Sequence, residues 1–205
     1  MAAMKPAFHN LAEAKRNRII AACVREFGEK GYEGSALDRI VADAAISKGG
    51  LYEYIESKED LFLFIVGLTY DELYDYIERR IKSSGVPLPA DIVDRMRLAA
   101  EFAVDFYIDH PHYIEIIVGT NHLPDAELAG KVRGLFLGRF LRLFGDADFS
   151  AIPFDRGLVL DLLTWLLLKT RYDFLVEYRG NRDDETIRRR YLASWDFFGA
   201  GMKSG

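Results

Sequence analysis

Apolar residues recur at steps of three and four along almost the whole chain, and this spacing limits the fold more than any other feature. Such steps place apolar residues on one face of an α-helix, whereas a half-buried β-strand needs strict alternation, which is almost absent. Capping residues, glycines and prolines divide the pattern into segments. We expect an all-α protein of about nine helices, at about residues 10–30, 36–44, 48–54, 58–82, 90–109, 112–120, 125–144, 153–179 and 184–201.

Local signals set several of the expected helix ends. Asn10 is expected to cap the first helix together with Glu13, and Gly31 is expected to end that helix in a left-handed conformation. Serine is a favoured residue at the start of a helix because its hydroxyl accepts a hydrogen bond from a free backbone N–H. The expected serine caps are Ser35, Ser47 and Ser57.

The charge of the chain is unevenly distributed. The 205 residues hold 27 Lys and Arg against 32 Asp and Glu, a formal net charge of −5, which excludes a uniformly basic surface. Residues 1–58 hold 9 basic and 8 acidic residues, whereas residues 59–205 hold 18 and 24. Only the first part is therefore expected to approach a polyanion without strong repulsion.

Cysteine usage and hydropathy indicate the compartment. The single cysteine, Cys23, excludes an internal disulfide or a cysteine metal cluster and fits a reducing environment. Residues 1–18 lack the apolar stretch of a signal peptide, and the longest apolar run, Leu158–Leu168, is interrupted by Asp161. We therefore expect a cytoplasmic protein that has no membrane partner.

Residues 35–58 predict two short helices joined by a tight turn, which is a helix-turn-helix. Each helix is too short to be stable alone, so the two need a shared apolar seam. Their outward side chains carry hydroxyl and ammonium donors, and helix N-termini add oriented N–H groups. Such donors suit phosphate oxygens of DNA, with the second helix in the major groove. The donor residues are Ser35, Ser47, Lys48, Tyr52, Tyr54 and Lys58.

Several short motifs follow one another within residues 18–66. They are Phe27 followed by Gly31-Tyr32, the Ile40–Ala44 helix, Ser47-Lys48-Gly49, Leu51-Tyr52-x-Tyr54, and Ser57-Lys58-Glu59-x-Leu61-Phe62. Together these motifs resemble the tetracycline repressor (TetR) family of bacterial transcription regulators. The resemblance implies an N-terminal three-helix DNA-binding domain followed by a larger helical domain for ligand binding and dimerisation. It covers about a quarter of the chain.

The resemblance also implies roles for individual residues. The implied DNA contacts are Ser35, Ser47, Lys48, Gly49, Gly50, Tyr52, Glu53, Tyr54 and Lys58, with Glu53 at a base-reading position. Three residues depart from the family pattern: Ala45 replaces a turn Gly, Gly50 replaces Thr or Ser, and Ile55 replaces Phe. A left-handed conformation at Ala45 would cost about 1 kcal/mol.

The 153–179 segment is apolar on nearly every side, and such a helix needs two buried interfaces. One is the core of its own subunit, and the other is most simply a second subunit. The last helix adds aromatic residues at helical spacing, so two helices from each subunit would form a four-helix bundle across a two-fold axis. The expected homodimer interface contains Leu158, Leu162, Leu166, Tyr191, Trp195 and Phe198.

Aromatic residues are frequent in the middle helices and are mainly expected in the core. Some are expected to line a cavity for an aromatic or lipophilic effector; the candidates are Tyr107, Tyr113, Trp165 and Tyr172. A metal site at His110, His112 and His122 is an alternative, but their spacing fits no strong ligand motif. We therefore assign no metal and no cofactor.

The sequence is interpreted as a DNA-binding domain at residues 10–57, with its helix-turn-helix at 35–54, and a regulatory domain at 58–205. The expected protein is a ligand-responsive homodimeric repressor that binds a palindromic double-stranded operator. An architectural or division-control protein with the same DNA-binding module and no effector is the alternative. No nucleophile–base pair, paired carboxylate motif or phosphate-binding glycine loop indicates an enzyme.

Overall fold

A computed structural model describes residues 4–123, 125–180 and 183–203. Within these residues the chain forms ten α-helices and no β-strand, so the predicted all-α class is confirmed. The helices are α1 (Pro6–His9), α2 (Glu13–Gly34), α3 (Leu37–Asp43), α4 (Lys48–Tyr52), α5 (Lys58–Ser84), α6 (Ile92–Asp109), α7 (Pro111–Gly119), α8 (Ala126–Phe144), α9 (Arg156–Gly180) and α10 (Asp184–Lys203). A 3₁₀ turn at Thr120–His122 follows α7. No helix in these ranges combines the length and apolar character needed to cross a membrane.

All nine predicted helices are present, and α1 is an additional one. The predicted start of the first long helix at Asn10 is wrong: α2 begins at Glu13, its N-cap is Ala12, and Asn10 is the C-cap of α1. Phe8 of α1 is 1% exposed, so this separate turn of helix packs its ring into the core before α2 begins. Gly31 has the predicted positive φ, 65°, but its ψ of −174° lies outside the left-handed helical region, and helical residues continue to Gly34 after this kink.

The serine caps have different outcomes. Ser47 caps α4 as predicted, because its Oγ accepts a hydrogen bond from the Gly50 amide at 3.0 Å. Ser57 Oγ likewise accepts from the Asp60 amide at 3.1 Å. The cap at Ser35 is wrong: the N-cap of α3 is Ala36, and its amide donates to Glu26 Oε1 at 2.9 Å. Ser35 Oγ instead donates to the Tyr32 carbonyl, and Glu26 of α2 supports the start of α3.

The chain divides into two compact units. Unit 1 comprises Met1–Glu72 and His112–Gly138, and unit 2 comprises Leu73–Pro111 and Arg139–Gly205. These are groups of packed helices, so the functional boundary that the sequence predicts between residues 57 and 58 stays a prediction.

The core of unit 1 joins α2, α3, α4 and the first half of α5. Ile40 and Leu51 are fully buried and form the seam between the short helices. Phe27 contacts Phe62 edge to face with ring centroids 5.2 Å apart. Burial of these side chains stabilises helices that have too few residues to persist alone.

The core of unit 2 contains the second half of α5, α6, α9, α10 and the end of α8. Its largest fully buried side chains include Tyr74, Tyr107, Phe174 and Trp195. Arg95 is also buried, with Nε donating to the Pro89 carbonyl at 2.6 Å and Nη1 pairing with Asp146 at 2.5 Å. This guanidinium fastens the predicted linker of Gly85, Pro87 and Pro89 to α6.

Candidate nucleic-acid interface

The α3–α4 pair is a helix-turn-helix with a strained turn. The Ile46 amide donates to the Val41 carbonyl at 3.0 Å, which closes the turn after α3. Ala45 has φ 51°, the left-handed conformation for which the family pattern uses glycine. The strain at Ala45 costs about 1 kcal/mol, and burial of Ile40 and Leu51 offsets it.

The exposed side of α4 presents polar groups at close spacing. Ser47, Lys48 and Gly49 are exposed at its N-terminal end, and Tyr52 and Glu53 are exposed at its C-terminal end. A Cβ at Gly49 would meet no atom within 4 Å, so this end of the helix is open to a close ligand. A Cβ on the half-buried Gly50 would lie 3.1 Å from Ser47 Oγ, and glycine therefore leaves room for the cap.

Lys48 has a charged partner on α3. Its Nζ lies 2.8 Å from Asp38 Oδ1, and both side chains are mainly exposed. The hydrogen bond to Asp38, and then the charge of that carboxylate, raise the pKa of Lys48, so the ammonium group stays charged at every physiological pH. An anion that approaches Lys48 therefore competes with Asp38 for this ammonium group.

Three predicted contacts do not share this exposed side. Ser35 is 7% exposed, and its Oγ donates to the Tyr32 carbonyl at 2.8 Å. Tyr54 is 5% exposed, and its hydroxyl accepts a hydrogen bond from Lys15 Nζ at 3.1 Å. Lys58 Nζ donates to the Ser35 carbonyl at 2.7 Å and lies 5.0 Å from the Tyr32 ring centroid. These residues hold the domain together around α4.

Two basic residues at this surface were missed by the sequence analysis. Lys5 Nζ donates to the Tyr52 carbonyl at 2.9 Å, where it supplements the exposed C-terminal end of α4. The same ammonium group pairs with Glu56 at 3.1 Å. Arg39 is exposed on α3 and forms no ion pair with a residue in the described ranges. Helical spacing places Arg39 outward, but no pattern in the sequence connects Lys5 with α4.

The four effector candidates do not line one cavity. Tyr107 is fully buried in unit 2, where its hydroxyl accepts from Arg171 Nε at 2.8 Å. Trp165 and Tyr172 are 55% and 50% exposed on α9. Tyr113 is half-buried in unit 1, and burial, followed by the charge of Glu72, raises its pKa.

A different set of residues surrounds a small cavity in unit 2. Its volume is about 20 Å³, which is near the space of one water molecule. Arg171 is the charged residue in a lining that is otherwise apolar or aromatic. The lining residues are Tyr74, Ile77, Met96, Ala99, Ala100, Ala103, Phe144, Leu167 and Arg171.

The residues predicted at the homodimer interface are divided between surface and core. Leu158 and Leu162 are exposed on α9, whereas Leu166, Tyr191 and Trp195 are buried inside unit 2. The half-buried Phe198 has its ring centroid 6.4 Å from that of Trp165. The exposed apolar side chains of α9, α10 and the segment just before α9 are Phe154, Leu158, Leu162, Trp165, Tyr172, Val176 and Phe197. Five of these seven were not among the predicted interface residues, because an all-apolar helix does not reveal which face its own core covers.

The three histidines considered for a metal site have different surroundings. The His110 ring lies against Phe106, with centroids 4.7 Å apart. His112 Nδ1 lies 3.0 Å from Glu115 Oε2. His122 ends the 3₁₀ turn. Within the described ranges no three His, Cys, Asp or Glu side chains come close enough to hold a metal ion.

Comparison with known proteins identifies the helix-turn-helix segment. Residues 19–65 match the sequence profile described as "Bacterial regulatory proteins, tetR family". This part of the chain is therefore similar to the tetR family of regulators. The matched residues contain most of α2, all of α3 and α4, and the start of α5, so the tetR-family profile covers the surface described above.

Curated relatives are similar to parts of the chain. FasR of Mycolicibacterium smegmatis, an HTH-type transcriptional activator, is 24% identical over 146 residues, 71% of this chain and 62% of that protein. IcaR of Staphylococcus aureus, a negative transcriptional regulator of the biofilm operon icaADBC, is 28% identical over 120 residues, 58% of this chain and 60% of that protein. The chain thus aligns with about three fifths of the length of these relatives.

A solved structure shows that the likeness in fold extends beyond the helix-turn-helix. The transcriptional regulator FadR from Bacillus subtilis, solved in complex with stearoyl-CoA, superposes with a TM-score of 0.68 at 17% identity. The superposition covers 87% of this chain and 96% of FadR. At this identity the comparison establishes a shared helical fold.

Proposed function

We propose that this tetR-family protein is a transcription regulator that acts as a homodimeric, ligand-responsive repressor at a palindromic operator. The observation that carries the proposal is the exposed side of α4. Ser47, Lys48 and Tyr52 present a hydroxyl, an ammonium group and a phenol toward one side, which suits the phosphates flanking a major groove. Glu53 is exposed beside them and carries an acceptor for a cytosine amino group.

A two-fold dimer completes the DNA-binding proposal. The apolar side chains of α9 and α10 that unit 2 leaves exposed supply the second interface that these helices need. A dimer would then direct its two α4 helices at successive major grooves, about 34–36 Å apart. The revised interface contains Leu158, Leu162, Trp165, Tyr172 and Phe197, and omits the buried Leu166, Tyr191 and Trp195.

The DNA proposal is tested by capture of genomic fragments on the purified protein, followed by sequencing and footprinting. We expect one enriched palindrome with half-sites about 10 base pairs apart. Lys48→Met should weaken binding to it about 5-fold or more and reduce the salt dependence, since a phosphate contact is lost. Lys82→Met is the matched control for loss of one exposed lysine. A protein that enriches no sequence and binds no duplex in dilute buffer would refute the proposal.

The effector is proposed to enter the cavity of unit 2 beside Arg171. Apolar side chains and a buried guanidinium together favour a lipophilic molecule that carries an acidic group. The complex of FadR with stearoyl-CoA supports this class of ligand. Because the cavity now holds about 20 Å³, the effector must separate α6 from α9 as it enters.

The effector proposal requires a ligand that prefers the state that does not bind DNA. We propose that ligand entry shifts α5. Tyr74 and Ile77 of this helix line the cavity, and its first residue, Lys58, bonds to the Ser35 carbonyl in the domain that contains α4. Fatty acids and their coenzyme A esters are the probes. We expect a higher Tm and a weaker operator complex with the same ligand; tight binding with unchanged operator affinity would contradict this mechanism.

The small cavity also favours the second candidate, a DNA-binding architectural protein without an effector. Such a protein needs no room for a ligand, and the cavity beside Arg171 holds only about 20 Å³. Enrichment of many dispersed genomic sites, with no response to lipophilic acids, would support this candidate over a repressor.

A further inference from the structure

Asp38 lies on the surface to which the proposed function assigns DNA. It is the second residue of α3 and is mainly exposed, 2.8 Å from Lys48 Nζ at the first residue of α4. A carboxylate is the same kind of partner for an ammonium group as a DNA phosphate. The free protein therefore already holds an anion at the place where Lys48 would meet the backbone.

The ion pair between Lys48 and Asp38 competes with DNA for the ammonium group, but a phosphate can still displace the carboxylate. Exposed ion pairs contribute little free energy, because water and salt screen them, so a well-placed phosphate can displace Asp38. Displacement also leaves an uncompensated carboxylate beside the phosphates, which adds repulsion. Loss of the ion pair and repulsion by Asp38 both lower the affinity for DNA, unless the duplex makes other contacts that offset them.

The other lysines around α4 are occupied in a similar way. Lys5 binds the Tyr52 carbonyl and Glu56, and Lys58 binds the Ser35 carbonyl. Residues 1–58 hold 9 basic and 8 acidic residues, so little excess positive charge remains for non-specific attraction to DNA. Arg39 on α3 remains exposed for such attraction, so holding Lys48 back reduces non-specific binding without abolishing it.

We propose that Asp38 is a specificity-determining residue that withholds Lys48 from the phosphates of non-cognate DNA. Only a duplex whose bases hold α4 in the groove brings a phosphate close enough to replace the carboxylate. This inference rests on the proposed DNA-binding function and adds an intramolecular competitor to it.

The test compares Asp38→Asn with Asp43→Asn in binding to a duplex of random sequence over a range of salt concentrations. Both variants remove one carboxylate from α3, but Asp43 pairs with Arg25, at 3.5 Å, instead of Lys48. Asp38→Asn should tighten binding about 3- to 10-fold and steepen the salt dependence by about one phosphate contact. Asp43→Asn should change binding less than about 2-fold.

A double-mutant cycle isolates the pair. In the Lys48→Met background, Asp38→Asn should tighten binding no more than Asp43→Asn does, because the withheld ammonium group is gone. The inference would be overturned if Asp38→Asn tightened DNA binding equally with and without Lys48, or if the two aspartate variants tightened it equally. In either case the proposed function would stand as long as the parent protein binds DNA. A parent protein that binds no duplex at all refutes the proposed function and this inference with it. Thermal unfolding of each variant checks that all remain folded.

Discussion

At the scale of single residues, Lys58 connects two helices of unit 1. Its ammonium group binds the Ser35 carbonyl at 2.7 Å and lies 5.0 Å from the Tyr32 ring centroid, so it satisfies a carbonyl that follows α2. Lys58→Met should lower the free energy of unfolding by about 1–2 kcal/mol, since that carbonyl loses a charged donor. Urea denaturation measures the change.

Lys30→Met, which removes an exposed lysine 4.0 Å from Glu29, should change stability by less than about 0.5 kcal/mol. Equal losses for the two variants would contradict this role.

Cys23 is a second residue whose chemistry follows from its position. It is fully buried in α2, and burial raises the pKa of its thiol to about 12. At pH 8 the reactive thiolate is therefore scarce, and labelling by a thiol reagent in the native state should be at least about 100-fold slower than in the unfolded chain. Mass spectrometry of the labelled protein measures both rates, and the single cysteine makes the result unambiguous. Labelling of the native protein at the rate of a free thiol would show that α2 opens readily.

At the scale of helices, local signals were predictable and distant ones were not. The Ser47 cap joins residues only three positions apart, so a local sequence pattern is enough to predict it. Ser35 carries the same pattern, but its Oγ donates to the Tyr32 carbonyl, and Glu26, ten residues before Ala36, accepts from the Ala36 amide at the start of α3. The exposed donors Lys48 and Tyr52 were found from spacing on α4. Their partners Asp38 and Lys5 depend on how α3 and the start of the chain fold against α4, which no periodicity describes.

The packing of α2 against α7 gives a prediction for a pair of helices within unit 1. A Cβ at Gly28 would lie 3.0 Å from the His112 carbonyl oxygen and 3.2 Å from Glu115 Oε2. Because the first of these atoms is backbone, Gly28→Ala must displace α7, at a cost of about 1–3 kcal/mol that exceeds the gain in helix propensity.

Gly34→Ala is the matched control at the end of α2, since its Cβ would meet only Lys30 Cβ, at an ordinary 3.6 Å. Thermal unfolding should show a lower Tm for Gly28→Ala and an unchanged or higher Tm for Gly34→Ala. A rise in Tm for both would mean that α7 yields without cost, and the close approach of these helices would then have no energetic importance.

At the scale of the whole molecule, the two apolar sides of α9 have different roles. Val159, Leu163, Leu166 and Phe174 face the core of unit 2, while Leu158, Leu162 and Trp165 remain exposed. The sequence predicted two interfaces, because nearly every side of this helix is apolar. It could not assign residues to them: Tyr191 and Trp195 have the spacing of an interface, but they fill the core between α10 and its neighbours.

The exposed stripe of α9 makes the assembly of the molecule testable. Leu162 lies between Leu158 and Trp165 on that stripe and is 40% exposed, so Leu162→Glu adds a charge there without entering the core. If the stripe is the centre of a two-fold interface, the substitution buries two carboxylates that face each other and should weaken association about 100-fold or more. Sedimentation velocity should then give a dimer for the parent and a species of 23.4 kDa for the variant.

Val86→Glu places the same charge on an exposed apolar residue of the α5–α6 linker and should leave the dimer intact. A parent protein that sediments at 23.4 kDa at micromolar concentration, or a Leu162→Glu variant that remains dimeric, would contradict a two-fold interface at this stripe.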